Sequence, residues 1–286
     1  MSALIIAAFL LPQSDKPDAT KKLRARYAVD ASKYKFTLDG DDKPLAFGKK
    51  SIMAWTGKEG GTVSGDVFIW TKKGRPEVIG CIGSLPTNTP ARRSLFHEFH
   101  SLSEGQKLTP IKLELSQRLW SPKQKPKPEP LTDLAAPKES RTRRLVQMRK
   151  LAREFKPRMK ESAQKNAIDN LRLLPQPLHR FDKDIAAQHP TVIDGAIFCY
   201  VWTRGTDPEL LVMVEARKTD AGPAWFYTPL RFTNREVWLE HKGKRVWHVP
   251  PADGKRTYAE PYITEWKYAG LVMDEQKPPL KLQPAK

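Results

Sequence analysis

Thr62-Val63-Ser64-Gly65-Asp66-Val67-Phe68-Ile69-Trp70-Thr71 runs through Lys72-Lys73-Gly74-Arg75 into Pro76-Glu77-Val78-Ile79-Gly80-Cys81-Ile82. Later in the chain, Thr191-Val192-Ile193-Asp194-Gly195-Ala196-Ile197-Phe198-Cys199-Tyr200-Val201-Trp202-Thr203 runs through Arg204-Gly205-Thr206-Asp207 into Pro208-Glu209-Leu210-Leu211-Val212-Met213-Val214. Both stretches carry a Gly, an aliphatic two residues on, Phe, Trp-Thr, a Gly-containing turn, and Pro-Glu ahead of a second apolar run. The arms are rich in β-branched and aromatic residues, and the Gly and Pro of the connections supply turn dihedrals, so each stretch reads as a β-hairpin. Agreement in order at these landmarks predicts an internal duplication.

The echo continues downstream. In the first half a strand-like 94–102 precedes 111–115, where Ile111, Leu113 and Leu115 alternate with polar residues as in a half-buried strand. In the second half 224–232 and 236–241 fill the same places, and Trp120 and Trp247 close the two halves. Between them, 141–155 sets Leu145, Met148, Ala152 and Phe155 on one helical stripe. Pro157 is expected to stop or kink that helix. A Pro/Lys spacer at 122–130 reads as extended and solvated. One four-stranded meander cannot cover its own apolar face. The expectation is therefore an α+β fold: two duplicated four-stranded antiparallel β-meander units packed with a central amphipathic helix, related by a pseudo-twofold. The expected boundaries are a leader at 1–20 and a single domain at 21–286. Within that domain lie β unit 1 (33–121), spacer and helix (122–170), β unit 2 (171–270) and a tail (271–286).

The 286 residues suffice for a sizeable core, and 39% hydrophobic with 29% charged residues excludes wholesale disorder. The apolar run Ala3-Leu4-Ile5-Ile6-Ala7-Ala8-Phe9-Leu10-Leu11 is too short to cross a bilayer and suits the core of a signal peptide, although no Lys or Arg precedes it. Export to the periplasm or beyond is the expectation if this run is a leader, and the cytoplasm otherwise, with no transmembrane helix. Cys81 and Cys199 each sit in a strand-like apolar run and are expected as two separate buried thiols.

His97-Glu98-Phe99-His100 is the best candidate for chemistry. On a strand, alternation sends His97 to one face and Glu98 with His100 to the other. The two histidines are thereby separated, and their spacing is not that of a helical zinc motif. Glu98 beside His100 suits an acid/base couple. Neither a Gly-rich phosphate loop nor a Gly-x-Ser-x-Gly elbow occurs in the sequence, so no cofactor and no metal are expected. Trp55, Trp225, Trp238 and Trp266 lie off the repeat landmarks and are the tryptophans free to line a ligand surface. The net charge of +18 favours acidic partners. Segment 138–165 holds eleven Lys or Arg against three Glu. Arg144, Arg149, Lys150 and Arg153 on its helix are candidates for contact with an acidic polymer, an anionic surface or a partner protein, against the simpler reading of a solvated outer face.

Gly74-Arg75-Pro76-Glu77, Phe96-His97-Glu98-Phe99-His100-Ser101-Leu102, Trp120-Ser121-Pro122, Met148-Arg149-Lys150-Leu151-Ala152-Arg153-Glu154-Phe155, Leu171-Arg172-Leu173-Leu174-Pro175-Gln176-Pro177-Leu178, Asp194-Gly195-Ala196-Ile197-Phe198 and Gly205-Thr206-Asp207-Pro208-Glu209 occur in this order. Together they resemble an uncharacterised paralogous family of planctomycete bacteria over about residues 60 to 265. That resemblance implies a signal-like leader and the duplicated architecture, and it brings no activity. Two functional readings stand beside each other. One is an exported, non-enzymatic binding or structural module, with polyanion contact through 138–165 as one form of it. The other is an envelope hydrolase using His97, Glu98 and His100 in a cleft between the halves.

Overall fold

The computed structural model describes residues 16–57, 63–87, 92–160, 167–252 and 258–272. The apolar run Ala3 to Leu11 lies outside them. The chain begins with α1 (Lys16–Lys33), β1 (Ala46–Phe47), β2 (Met53–Gly57), β3 (Val63–Lys72), β4 (Arg75–Pro86) and β5 (Arg92–Ser101). Then follow β6 (Ile111–Lys112), β7 (Leu119–Trp120), β8 (Glu129–Leu131), α2 (Arg141–Glu154), β9 (Phe155–Lys160), β10 (Ile168–Asn170), β11 (Arg172–Leu173), β12 (His179–Arg180) and α3 (Ile185–Gln188). The remainder is β13 (Val192–Val201), β14 (Pro208–Thr219), β15 (Gly222–Arg231), β16 (Val237–His241), β17 (Lys244–Val249) and β18 (Tyr262–Val272). Among the described residues every strand pairing is antiparallel, and the fold is α+β with sheet predominating.

Two sheets carry the architecture, ordered β1-β3-β4-β5-β18 and β11-β13-β14-β15-β8, with β2 added on β3 and β12 on β13. They pack face to face. Val67, Ile69, Ile79 and Cys81 of the first meet Ile197, Cys199, Leu211 and Met213 of the second in one apolar cluster. Alternate residues point outward: Phe68, Trp70 and Val78 pack under α1, and Phe198, Tyr200 and Val212 under α2. Because both faces of each sheet are covered, the central strands read as continuous apolar runs. Each helix also ties an Arg to a buried Asp near the start of the first long strand, Arg24 to Asp66 (3.4 Å) and Arg144 to Asp194 (2.9 Å).

The two central ladders share a register. Gly65↔Gly83 and Trp70↔Val78 in the first correspond to Gly195↔Glu215 and Tyr200↔Leu210 in the second, and each ladder is interrupted directly after its last pair here. Val78↔Ser101 and Leu210↔Arg231 continue the match. The first hairpin turns at Lys73 and Gly74, both with positive φ (47° and 79°), a conformation that suits Gly and a tight hairpin.

Two expectations are corrected. Each meander has three long strands, not four. Segment 111–115 contributes only a two-residue ladder with β7, and β16 joins a separate sheet ordered β10-β9-β16-β17. The fourth place in each large sheet is filled from a distance, β18 lying on β5 and β8 on β15. Unit boundaries at 33–121 and 171–270 therefore cut across both sheets. The amphipathic helix is not central: Met148, Leu151 and Ala152 are buried against the outer face of the second sheet, together with Met159, Val237 and Leu239. The helix ends at Glu154 as the stripe predicts, and Pro157 sits inside β9 rather than in a loop. Of the expected leader, 1–20, residues 1–15 lie outside the described residues, and α1 begins at Lys16, with Leu23, Tyr27 and Ala31 part of the core.

Candidate functional site

Strand β5 divides the His-Glu-Phe-His run as alternation predicts. His97 faces α1 and is sealed there: the Tyr34 hydroxyl lies 2.6 Å from its Nδ1 and donates to Glu265 Oε1 at 2.8 Å. Glu265 also accepts the backbone N–H groups of Leu115 (3.2 Å) and Ser116 (2.8 Å). Burial pushes the Glu265 carboxyl up, but the contacts with His97, Ser116 and Tyr34 outweigh it and hold the group below its usual range. All three side chains are essentially without solvent contact, so this cluster welds the segment after α1 to β5 and β18 and offers no surface to a ligand.

Glu98 and His100 face the other way, toward the seam between the sheets. A cavity of about 980 Å³ opens there, walled by His100, Tyr262 and Thr264 from the first sheet and by Tyr227, Arg231 and Trp247 from the second half. It is a size that suits a small-molecule ligand. Next to it lies a smaller cavity of about 230 Å³ lined by Glu98, Asp207, Glu209, Trp55, Trp202 and Trp266. Asn234 and Thr264 line both, so the two form one cleft.

The Tyr262 hydroxyl donates to Glu98 Oε1 between the cavities, and the Arg231 guanidinium lies 5.4 Å above the Tyr262 ring. Burial, reinforced by the charge of Glu209, raises the Glu98 carboxyl to about 8 against the opposing influence of Tyr262 and Arg231. Burial together with Glu209 and Glu98 also raises Asp207 well above its usual range. Burial, the larger influence, and the Arg231 charge lower His100 to about 4, partly offset by its bond to the Ser101 carbonyl (2.8 Å). His100 is therefore neutral at pH 7. Since a carbonyl only accepts, Nδ1 carries the proton and Nε2 is left as an acceptor.

Elsewhere along the same seam the chain builds a closed counterpart. Arg75 pairs with Glu77 (3.3 Å), Glu215 (3.4 Å) and Glu104, and Arg217 binds both Glu104 and Glu215. Arg75 and Asp207 occupy corresponding places, each just before Pro-Glu. Leu102 N–H donates to the Glu77 carbonyl (2.7 Å) as Phe232 N–H does to that of Glu209 (3.0 Å).

The basic helix is less free than its composition suggests. Arg144 is held by Asp194, a fully buried carboxylate shared with Arg180 (2.6 Å), and also donates to the carbonyls of Lys138 (3.0 Å) and Glu139. Arg149 donates to Gln176. Lys150 and Arg153 are exposed. Of the tryptophans expected to be free, Trp55 and Trp266 line the cleft, whereas Trp225 and Trp238 are packed in the fold. Trp202 and Trp247, which sit at repeat landmarks, line it instead. Cys81 and Cys199 are both free thiols buried in the seam, each pushed up by burial. Among the described residues no group of His, Cys, Asp or Glu is placed to hold a metal ion, and no helix is long and apolar enough to cross a membrane.

Residues that sequence reading did not connect with the site are Arg231, Tyr262 and Asn234. They come from the far end of β15, from β18 and from the loop after β15. The pairing of β18 on β5 sets Tyr262 opposite His100, and Arg231 and Asn234 reach the same cavity from the second sheet. Comparison with family models, curated proteins and solved structures gives no match to this chain.

Proposed function

We propose that this protein is a non-enzymatic, exported binding module, built by duplication of a helix-plus-meander unit, that holds its ligand in the cleft lined by His100, Arg231, Asn234 and Trp247. The observation that carries this reading is the cleft itself: about 980 Å³ of space between β15 and β18, with a buried neutral imidazole in its wall. The duplication is supported by the shared register, by one helix over each sheet, and by the reciprocal donation of β8 and β18. Opposing Glu residues repeat even there, with His97↔Glu265 in one sheet and Tyr227↔Glu129 in the other. Export is supported by the apolar run at 3–11 and by the planctomycete resemblance. An intact Met1 on the mature protein recovered from cells would contradict it.

His97 has no part in the cleft, so a hydrolase built on His97, Glu98 and His100 together has no common site. A narrower enzymatic reading, with Glu98 as proton donor, draws on its raised carboxyl. Sustained turnover of envelope material that Glu98→Gln abolishes would establish it in place of simple binding. Polyanion contact is left to Lys150 and Arg153, because Arg144 and Arg149 are engaged within the fold. The test of the main reading is adsorption of the full chain to isolated cell envelopes. Asn234→Arg, placed at the junction of the two cavities, should abolish it; undiminished adsorption would end the proposal.

A further inference from the structure

We infer that the cleft binds a saccharide, a short run of sugar residues lying across both cavities; the inference rests on the cleft being the binding site. Half-buried rings line the cleft, Trp247 and Tyr262 in the larger cavity and Trp266 in the smaller one, whereas Tyr227, Trp55 and Trp202 are buried, with Arg204 and Arg235 over the Trp202 ring (5.1 and 4.3 Å). Flat aromatic walls with polar groups between them suit a ligand that is apolar on its faces and hydroxylated at its edges.

The polar groups fit the same ligand. His100 is 4% exposed, its Nδ1 is committed to the Ser101 carbonyl, and its Nε2 has no hydrogen-bond partner among the described residues. It is an acceptor that asks for a donor, and Asn234 at the junction offers both donor and acceptor. A hydroxyl serves either role, which an ammonium or a carboxylate does not.

Other occupants fit less well. A peptide strand added to β15 would lie on the stretch left open by β8, which covers only Trp225 to Tyr227. Pro229 stands on that open stretch and has no N–H to give to a ladder. A polyanion would need free cations. Arg231 donates to the carbonyls of Thr233 (2.5 Å) and Arg235 (3.2 Å), and Lys127 pairs with Glu129 (3.3 Å). Glu98 and Glu260 add acidic groups to the walls.

The test is a titration of the full chain, followed by tryptophan fluorescence, with cello-, chito- and xylo-oligosaccharides of increasing length. Saturable binding that tightens with length and falls about tenfold or more in Trp247→Ala is the expected result. Asn234→Arg, at an exposed position where folding is not at risk, should lose binding as well. Periodate oxidation of envelope glycans should abolish adsorption of the wild-type chain. Adsorption that depends on Asn234, survives periodate and is matched by no oligosaccharide binding would overturn the saccharide assignment while leaving the cleft as the site. Adsorption indifferent to Asn234→Arg would remove the cleft itself.

Discussion

The seam between the two sheets is treated differently at corresponding places. Around Arg75, three carboxylates and two guanidinium groups interlock and fill the space. Around Asp207, three carboxyl groups line a cavity, and Arg235 pairs with Glu209 there at 3.6 Å. Much of the difference traces to single positions. Arg75 corresponds to Asp207, so a cation inserted among acids in one place becomes a further acid in the other. Glu215 of β14 corresponds to Gly83 of β4, where an added Cβ would lie 2.3 Å from the Phe96 ring. Two sheets of matching register are thus welded together at one place and leave a cavity at the other.

The largest effect expected is at the closed place. Arg75→Ala strands Glu77, Glu104 and Glu215 around a buried hole and should destabilise the fold by about 3–5 kcal/mol, read from urea midpoints. Asp207→Asn, at the corresponding open place, should be neutral or stabilising, because its raised carboxyl gains nothing from ionising. Equal losses in both would erase the contrast.

A smaller effect concerns pH. The Glu98 carboxyl is raised to about 8 in the folded chain, so between its unfolded value and 8 the folded state holds a proton that the unfolded state has released. Stability from this group is present below that window and is lost as pH rises through it. Lowered histidines such as His100 act with the opposite sign, but below pH 6.5. From pH 6.5 to 8 the wild type should therefore lose on the order of 1–2 kcal/mol that Glu98→Gln does not lose, measured by denaturant unfolding across that range. A Glu98→Gln slope as steep as that of the wild type would place the open-site charge elsewhere.

Along α2 the same distinction between engaged and free charge applies. Arg144→Ala should cost about 1–2 kcal/mol by removing a charged bond to Asp194, whereas Lys150→Ala and Arg153→Ala should cost under about 0.5 kcal/mol. Retention on a heparin-type matrix should follow the reverse order. The least effect is expected at the thiols: Cys81 and Cys199 should resist a thiol reagent in the native protein and react only on unfolding, and rapid labelling would mean the seam opens.

Local pattern made part of this legible. The hairpins around Gly74 and Gly205, the stripe Leu145, Met148, Ala152 and Phe155, and the division of His97 from His100 follow from spacing alone. The swapped strands do not, because β8 and β18 carry no local sign of which sheet receives them. Alternation at 111–115 was misleading, since Leu113 is buried by a loop rather than by a ladder. Helix α1 is masked by its charge: Leu23, Tyr27 and Ala31 form its buried face among Lys, Arg and Asp residues. The site is half legible for the same reason. Glu98 and His100 sit on one strand, while Arg231, Asn234 and Tyr262 reach them only through tertiary pairing.

Hydrogen–deuterium exchange of the full chain, with and without solubilised envelope glycan, tests the contrast between the two places most directly. Protection confined to 55–57, 202–209, 227–234, 246–252 and 258–266 is the predicted result. Protection centred on 75–77, 102–106 and 215–217, or none at any site, would contradict the assignment of the cleft as the binding site.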